Sequence, residues 1–294
     1  MRSGAPATQY SVVRVLLWMS GVLLSFTAMA PSIRALSKTL SIFEILSIRT
    51  ATGLVVLSAL ALARPQLRLQ LNTRQLWLQA TRNVLSFSGG FAWSLALTLL
   101  PFATVFALEF TTPAWVALFA VLILGERMTA SRIGVVVLGL AGIVLITRPG
   151  VEGFQPASLL VLAAAVAFAG SAICTKKLIS SQTVFAILFW MNVMQLPMNL
   201  AGSDLLFVRK LGSGDLLPVI IIGVSGLTSH LCLTNAFRYG DATVVYPLDF
   251  LRLPLIALIG WWFYSEALDP MVFAGAALII AGVLWNLHDA ARGK

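Results

Sequence analysis

The sequence predicts an all-α integral membrane protein whose ten transmembrane helices form two inverted five-helix repeats. Three observations lead to this prediction. Hydrophobic residues make up 59% of the 294 residues and charged residues only 11%, a composition too apolar for the surface of a soluble protein. Apolar runs of about 20 residues recur along the whole chain. One stretch of the first half also matches a stretch of the second half without a gap.

The apolar runs are continuous rather than alternating. Because a backbone in lipid must satisfy its own hydrogen bonds, each run is predicted to form a helix. Ten such segments can be drawn, at 12–33, 42–63, 76–98, 103–124, 132–147, 157–176, 183–201, 215–237, 243–263 and 270–288.

The internal match organises these segments into two halves. Moving 96–142 forward by 140 positions places it on 236–282, and the acidic Glu109 then falls on the acidic Asp249. Identical pairs include Val105 and Val245, Phe110 and Phe250, and Glu126 and Glu266. Turn-forming residues at 148–153 separate the halves, so we predict a first repeat at 1–150 and a second at 151–294.

Basic residues indicate the orientation of the chain in the membrane. If the N-terminus is cytoplasmic, the loops on that side carry twelve Lys and Arg residues against five on the other side. Both termini are therefore predicted to be cytoplasmic. Since each half has an odd number of helices, the second half enters the membrane in the opposite direction, an arrangement used for alternating access. The same clusters explain the net charge of +9, so no nucleic-acid partner is predicted.

The sequence offers little for catalysis. It contains no G-x-x-x-x-G-K-[ST] phosphate loop and no serine with a plausible His and Asp pair. Cys174 and Cys232 lack metal-ligand spacing. We therefore predict no catalytic residue, no metal and no cofactor, and a protein that is not an enzyme. An intramembrane enzyme and a non-transporting receptor or scaffold remain as alternatives of another class.

Six ionisable residues lie well inside the predicted spans, where each costs about 2.5–3.5 kcal/mol at a helix centre. They are Glu44, Arg49, Arg82, Glu109, Asp249 and Arg252. One interpretation is internal pairing that stabilises the helix bundle, and the other is a polar cavity for a charged or zwitterionic solute. Within the second interpretation, Arg252 is the predicted central anion-binding group, held by Asp249 three residues earlier on the same helical face.

Other candidates fill in the predicted cavity. Arg49 and Arg82 are assigned to substrate binding together with neutral and aromatic residues, namely Asn83, Trp93, Thr112, Asn235 and Tyr246. Glu109 and Asp249, with Glu44 and His230, are assigned to proton coupling or charge pairing. Glu126 and Glu266 are assigned to turn geometry. Protons and a homodimer packed through glycine-bearing spans remain open as partners, beside the lipid bilayer and a small-molecule substrate.

One segment carries a family resemblance. LPFATVFALEFTTPAWVALFAVLILGE, followed by Thr147-Arg148-Pro149-Gly150, resembles the first half of the EamA-type drug/metabolite transporter superfamily, and 241–247 stands in the matching place of the second half. The resemblance implies ten helices, two inverted repeats, cytoplasmic termini and secondary transport of a small organic metabolite across a prokaryotic inner membrane. Arg82-Asn83 and the LEFTTP motif most resemble the branch with S-adenosylmethionine and riboflavin carriers. Aromatic amino acids are the alternative substrates.

Overall fold

The computed structural model describes residues 11–72, 75–100, 102–109, 111–125, 129–147, 156–264 and 270–291. Within these ranges all regular structure is helical, which confirms the predicted all-α class. The α-helices are α1 (Val12–Leu36), α2 (Ile42–Ala63), α3 (Pro65–Arg68), α4 (Leu76–Leu99), α5 (Phe102–Glu109), α6 (Thr112–Phe119), α7 (Ala130–Thr147), α8 (Ser158–Leu178), α9 (Val184–Leu200), α10 (Leu216–Tyr239), α11 (Ala242–Val245), α12 (Arg252–Tyr264) and α13 (Pro270–Ala291).

Membrane-crossing length is clear for four of the described segments. These are α1, α2, α8 and the stretch that contains α10, with mean hydropathies between 1.8 and 2.1.

Side-chain caps define several of the helix starts. The Ser41 hydroxyl accepts a hydrogen bond from the Glu44 amide while the Glu44 carboxylate accepts one from the Ser41 amide, and Thr183 caps α9.

Two predicted spans are interrupted rather than continuous. In place of a single helix over 103–124, α5 ends at Glu109, α6 begins at Thr112 and a π-helical turn follows at Ala120–Leu124. In place of a helix over 243–263, a 3₁₀ turn at Tyr246–Leu251 separates α11 from α12. Prolines at 113, 247 and 254 lack the backbone donor that a continuous helix would need at these breaks, which favours an interruption there. The breaks occur at repeat-related places and carry Glu109 and Asp249.

The first helices of the two halves run in opposite directions. The Ser11 amide, before α1, donates to the Tyr239 carbonyl at the end of α10 at 3.0 Å. The Lys176 ammonium, near the end of α8, donates to the Phe237 carbonyl at 2.9 Å and to the Gly240 carbonyl at 2.5 Å. The start of α1 and the end of α8 therefore lie together at one end of the bundle.

Helix packing follows the sequence repeat. A shift of 140 positions maps α4 (76–99) onto α10 (216–239) end for end. The packing of α1 on α10 has its equivalent in the packing of α8 on α4, and α2 packs on α9 as α7 packs on α13. All four of these extensive contacts join one half of the chain to the other, so the halves share one core.

Two contacts between a cation and backbone carbonyls are also related by the repeat, although the two cations do not align in the sequence. The Arg34 guanidinium donates to the Leu97 carbonyl at 3.0 and 3.1 Å and to the Leu100 carbonyl at 2.9 Å, at the end of α4. The two carbonyls that Lys176 binds stand 140 positions further on. Each half thus places a cation from its first helix, α1 or α8, on carbonyls at the C-terminal end of α4 or α10, where a positive charge is stabilising.

Close packing between α2 and α9 supplies a test of this core. A Cβ added to Gly53 would lie 2.8 Å from the Asn192 Cγ, and the Asn192 amide is held by a hydrogen bond to the Leu188 carbonyl. We expect Gly53→Ala to lower the free energy of unfolding by about 1–3 kcal/mol, because the side chain or the helix must shift. Thermal unfolding of the purified protein measures this effect.

Gly90→Ala is the matched control, since the nearest atom to its added Cβ is Arg49 Nη2 at 3.9 Å. There the alanine should keep or raise the melting temperature, as expected from its better helix propensity. If both variants melt at or above the wild-type melting temperature, the result contradicts close packing of α2 on α9 at Gly53.

Candidate functional site

A cavity opens in the middle of the bundle, between the two halves of the chain. Its empty volume, opening included, is about 1000 Å³. Five long helices (α1, α2, α4, α8 and α10) and the two interrupted segments contribute to its wall. The polar and charged residues of the wall include Arg49, Arg82, Trp93, Glu109, His230 and Asp249. A mostly apolar pocket with a few convergent polar groups is typical of a small-molecule site.

One face of α4 runs along this cavity. Arg82, Ser86, Gly90 and Trp93 all line it, at the spacing of successive helical turns. At 1.5 Å per residue, Arg82 and Trp93 are separated by about 16 Å along the helix axis. The cavity is therefore an elongated slot with a guanidinium near one end and an indole near the other.

An ion-pair cluster stands at the indole end. Arg252 Nη2 contacts Glu109 Oε1 at 2.6 Å and Asp249 Oδ2 at 2.9 Å. The Trp93 indole donates to Glu109 Oε2 at 2.7 Å, so both oxygens of this carboxylate accept a hydrogen bond. The Arg252 guanidinium also lies about 5 Å from the ring centres of Phe26 and Phe106. The cluster joins the first half, through Glu109, to the second half.

The structure places Arg252 behind the cavity wall, and its role as an anion-binding group stays a prediction. The predicted contact with Asp249 is present, but Arg252 is 0% exposed and lies outside the cavity wall, behind the two acids that do face it. An incoming anion would meet those carboxylates before it met the guanidinium. Sequence reasoning missed Glu109 as a second partner because it is 143 positions away in the other half.

Arg49 holds a different position. Its guanidinium lines the cavity, and Nη2 donates to Gln195 Oε1 at 3.3 Å. Among the described residues no carboxylate lies within ion-pair distance of it. Room for its stem comes from Gly226, because any Cβ there would collide with Arg49 Cγ. For Arg49, these contacts therefore do not show the internal ion pairing that was one of the two interpretations of the buried charges, and its assignment to substrate binding stays a prediction.

Arg82, at the other end of the slot, is oriented by neutral groups. Its Nε donates to Thr175 Oγ1 at 2.6 Å, Nη1 donates to Asn83 Oδ1 at 3.2 Å, and Nη2 lies 3.7 Å from the Met191 sulfur. Gln195 Nε2 also donates to Asn83 Oδ1 at 3.3 Å. Asn83 thus connects the supports of both arginines.

The other candidates divide by position. Thr112 and His230 line the cavity, whereas Asn83 and Asn235 lie outside its wall. The Asn235 amide donates instead to the carbonyl of Leu231 at 2.9 Å. The Tyr246 side chain, like the whole of Glu126 and Glu266, lies outside the described residues.

Glu44 lies away from the cavity, at the start of α2. Its Oε1 contacts the Lys210 ammonium at 2.6 Å, and Lys210 also lies 3.4 Å from Asp204. The hydrogen bond with Glu44 raises the pKa of Lys210, while the backbone amide of Leu206 and then the Lys210 contact lower the pKa of Asp204. Glu44 therefore pairs with a surface lysine and not with an arginine of the cavity.

Two supporting residues were not predicted from the sequence, Thr175 beside Arg82 and Gln195 beside Arg49. A signal for Gln195 was present, because Asn192, Gln195 and Asn199 recur at helical spacing along the apolar α9, and all three are buried. Thr175 has no such signal, since a single threonine in a membrane helix commonly bonds its own backbone. Among the residues that the structure describes, no cluster of His, Cys, Asp and Glu is arranged to hold a metal ion.

A helical bundle of two repeat-related halves around a charged central cavity is typical of membrane transport proteins. Comparison with protein families leads to the same class. The model of the EamA-like transporter family matches residues 13–148 and again 155–287. The chain therefore belongs to the EamA-like transporter family, with one family domain in each half.

Relatives and a solved structure extend this result. The chain is 31% identical over 223 residues to a riboflavin transporter of Rhizobium johnstonii, covering 76% of this chain and 74% of that protein. It is 28% identical to an S-adenosylmethionine uptake transporter of Rickettsia felis, covering 74% of each, and 26% identical to the pseudopaline exporter CntI of Pseudomonas aeruginosa, covering 90% and 95%. A solved crystal structure, 19% identical, shares the fold with a TM-score of 0.71 over 93% of this chain and 95% of that one.

The Arg252 cluster generates a stability prediction. Arg252→Ala leaves Glu109 and Asp249 without their shared cation in a buried site, so we expect a loss of about 3–5 kcal/mol in the free energy of unfolding. Melting temperature and the yield of monodisperse protein report the loss.

Arg132→Ala is the matched control, because it also breaks an arginine–aspartate pair between the halves. Its partner Asp241 has a side chain that is 42% exposed and can be solvated, so the cost should stay below about 1 kcal/mol. Equal effects of the two substitutions would contradict the assigned role of Arg252.

Proposed function

We propose that the protein is a secondary transporter that moves a small charged or zwitterionic organic metabolite through the central cavity by alternating access. The observation that supports this most directly is the cavity wall, which combines two guanidinium groups of the first half with one carboxylate from each half. The acids stand at two interrupted helices, the usual place for a binding site in repeat transporters. The printed functions of the relatives, riboflavin transport, S-adenosylmethionine uptake and pseudopaline export, agree with a small organic solute.

The proposal includes a topology of ten transmembrane segments in a prokaryotic inner membrane, with repeats at 1–150 and 151–294 and both termini in the cytoplasm. The opposed directions of α1 and α8 and the repeat-related helix packing support an inverted repeat. The interrupted segments α5–α6 and α11–α12 each count as one crossing.

Reporter fusions test this topology. A reporter after Lys294 should be active on the cytoplasmic side and one inserted between Gly150 and Gly153 on the periplasmic side, because five crossings separate the two positions. Reporters on the same side of the membrane would contradict the inverted repeat.

Flux measurements test the transport proposal. We expect proteoliposomes to take up labelled S-adenosylmethionine or riboflavin faster than protein-free vesicles. Trp93→Ala should reduce uptake at least tenfold, because the indole lines the cavity and orients Glu109. Trp262→Ala is the control, since Trp262 is 76% exposed on the outside of the bundle and should leave uptake unchanged. If both solutes and a wider panel of metabolites enter proteoliposomes no faster than protein-free vesicles, the transport proposal is refuted.

The two cavity acids carry the proposed proton coupling. If a proton exchanges with substrate at these carboxylates, a pH gradient should drive flux in the wild type. Glu109→Gln and Asp249→Asn should each abolish that dependence, while exchange of substrate between the two sides continues. Uptake measured with and without the pH gradient separates gradient-driven flux from substrate exchange. Unchanged gradient dependence in both variants would show that these acids have only a structural role.

A further inference from the structure

The cavity lies between two pairs of closely packed helices. One pair is α1 with α10 and the other is α4 with α8, so each pair takes one helix from each half of the chain. A Cβ added to Gly21 of α1 would lie 2.6 Å from the Cys232 sulfur of α10. A Cβ added to Gly89 of α4 would lie 2.9 Å from the Phe168 ring of α8. Packing this tight favours movement of each pair as one body.

Two polar links join the pairs, and they lie at opposite ends of the bundle. Among the described residues, direct packing of α1 on α4 and of α8 on α10 is sparse. In the Arg34 link, the guanidinium on α1 binds carbonyls at the C-terminal end of α4. In the Lys176 link, the ammonium on α8 binds carbonyls at the C-terminal end of α10, beside the start of α1. Arg34 comes 22 residues after the first residue of α1, so the links are about 33 Å apart along the bundle.

The chemistry of these links suits contacts that break and re-form. Carbonyls in the last turn of a helix lack an intrahelical amide partner and carry only a partial negative charge. A cation that leaves them therefore does not leave a buried ion unpaired, as it would if its partner were a carboxylate. Water that enters an opened end of the cavity can solvate both partners.

The repeat supports a common role for the two links. The carbonyls that Arg34 binds and those that Lys176 binds are related by the shift of 140 positions, whereas the cations themselves are not aligned. Two different side chains thus make the same contact in the two halves. It follows that a lysine or an arginine can form such a link, which supplies a conservative variant for each position.

We propose that the Arg34 and Lys176 links are the two gates of the cavity, each closing the end at which it lies. Rocking of the α1–α10 pair against the α4–α8 pair breaks one link while the other stays formed. Both links are formed in this structure. The proposal rests on the proposed transport function and adds the residues that control access. With both termini in the cytoplasm, the Lys176 link is the cytoplasmic gate and the Arg34 link is the periplasmic gate.

The accessibility of one cavity residue from each side of the membrane tests the gates. Cys174 and Cys232 are replaced by alanine, and Ser86→Cys, in the wall of the slot, then supplies the reporter thiol. Its rate of reaction with the membrane-impermeant reagent sulfonatoethyl methanethiosulfonate is measured in two preparations. Spheroplasts expose the periplasmic face to the reagent, and inverted membrane vesicles expose the cytoplasmic face.

The two gates should respond on opposite sides. We expect Arg34→Gln to raise the reaction rate about tenfold in spheroplasts only, because it removes the donors that hold the periplasmic end. Lys176→Gln should raise the rate about tenfold in inverted vesicles only. Arg34→Lys and Lys176→Arg keep a cation for the same carbonyls and should retain the starting rates. The matched controls are Lys38→Gln and Lys177→Gln, which change exposed lysines close to each link and should leave both rates unchanged.

A milder change at the cytoplasmic gate leaves the Lys176 hydrogen bonds in place. Asp241 lies 3.9 Å from the Lys176 ammonium, and its side chain is 42% exposed, so the fold should tolerate Asp241→Asn. We expect this variant to raise the rate about twofold to fivefold in inverted vesicles and to leave spheroplasts unchanged. Equal increases on both sides in these variants would show general loosening of the fold and would overturn the gates. Unchanged rates in all of them would do the same.

The labelling assay needs no substrate, so it separates the gates from the proposed function. Solute flux through the wild type without a sided response to Arg34→Gln and Lys176→Gln would overturn the gates and leave transport standing. Sided responses without flux of any solute would support the gates and contradict transport.

Discussion

One guanidinium nitrogen, Arg252 Nη2, contacts two carboxylates at the point where two helices are interrupted, and the central part of the bundle depends on this interaction. An interrupted helix leaves backbone groups without their usual partners, which is tolerated in a membrane only inside protein or beside a cavity. Here the break in the first half ends at Glu109 and the break in the second half carries Asp249. Arg252 ties the two breaks together, so it positions the only two acids that face the cavity among the described residues.

This arrangement gives the arginines of the interior different tasks. Arg252 is neutralised by the two acids and enclosed by aromatic rings, which suits a fixed element of structure. Because Arg252 occupies those acids, neither is engaged with Arg49, whose charge remains directed at the cavity. Arg82 is held by Thr175 and Asn83 at the far end of the slot. A cavity with opposite charges on its walls follows from these separate placements.

Local sequence patterns predicted most of the architecture. Apolar runs located the helices, and the 140-residue shift located the repeat-related acids and anticipated the equivalence of α4 and α10. The contact between Asp249 and Arg252 was predictable because residues three apart share a helical face. These inferences succeed because helix formation and short-range pairing depend on nearby residues.

Contacts between distant segments were not predictable in the same way. Glu109 reaches Arg252 across 143 positions, and only the packing of the halves brings them together. The cation contacts of Arg34 and Lys176 are equivalent in space, but a 140-residue shift places Arg34 on Cys174, so alignment conceals the equivalence. The side-chain reach of the cation compensates for the offset of two residues. Physical position, and not residue identity, is what the repeat preserves here.

We propose that Arg252 holds the structure together and does not contact the solute. Arg252→Lys tests it most directly, because lysine keeps the charge but cannot reproduce the planar guanidinium geometry. Melting temperature and affinity should be measured on the same preparation, with S-adenosylmethionine or riboflavin, whichever the wild type carries. We expect a lower melting temperature with near-normal affinity in the folded protein. A normal melting temperature with severely weakened affinity would contradict it and would restore Arg252 as a binding residue.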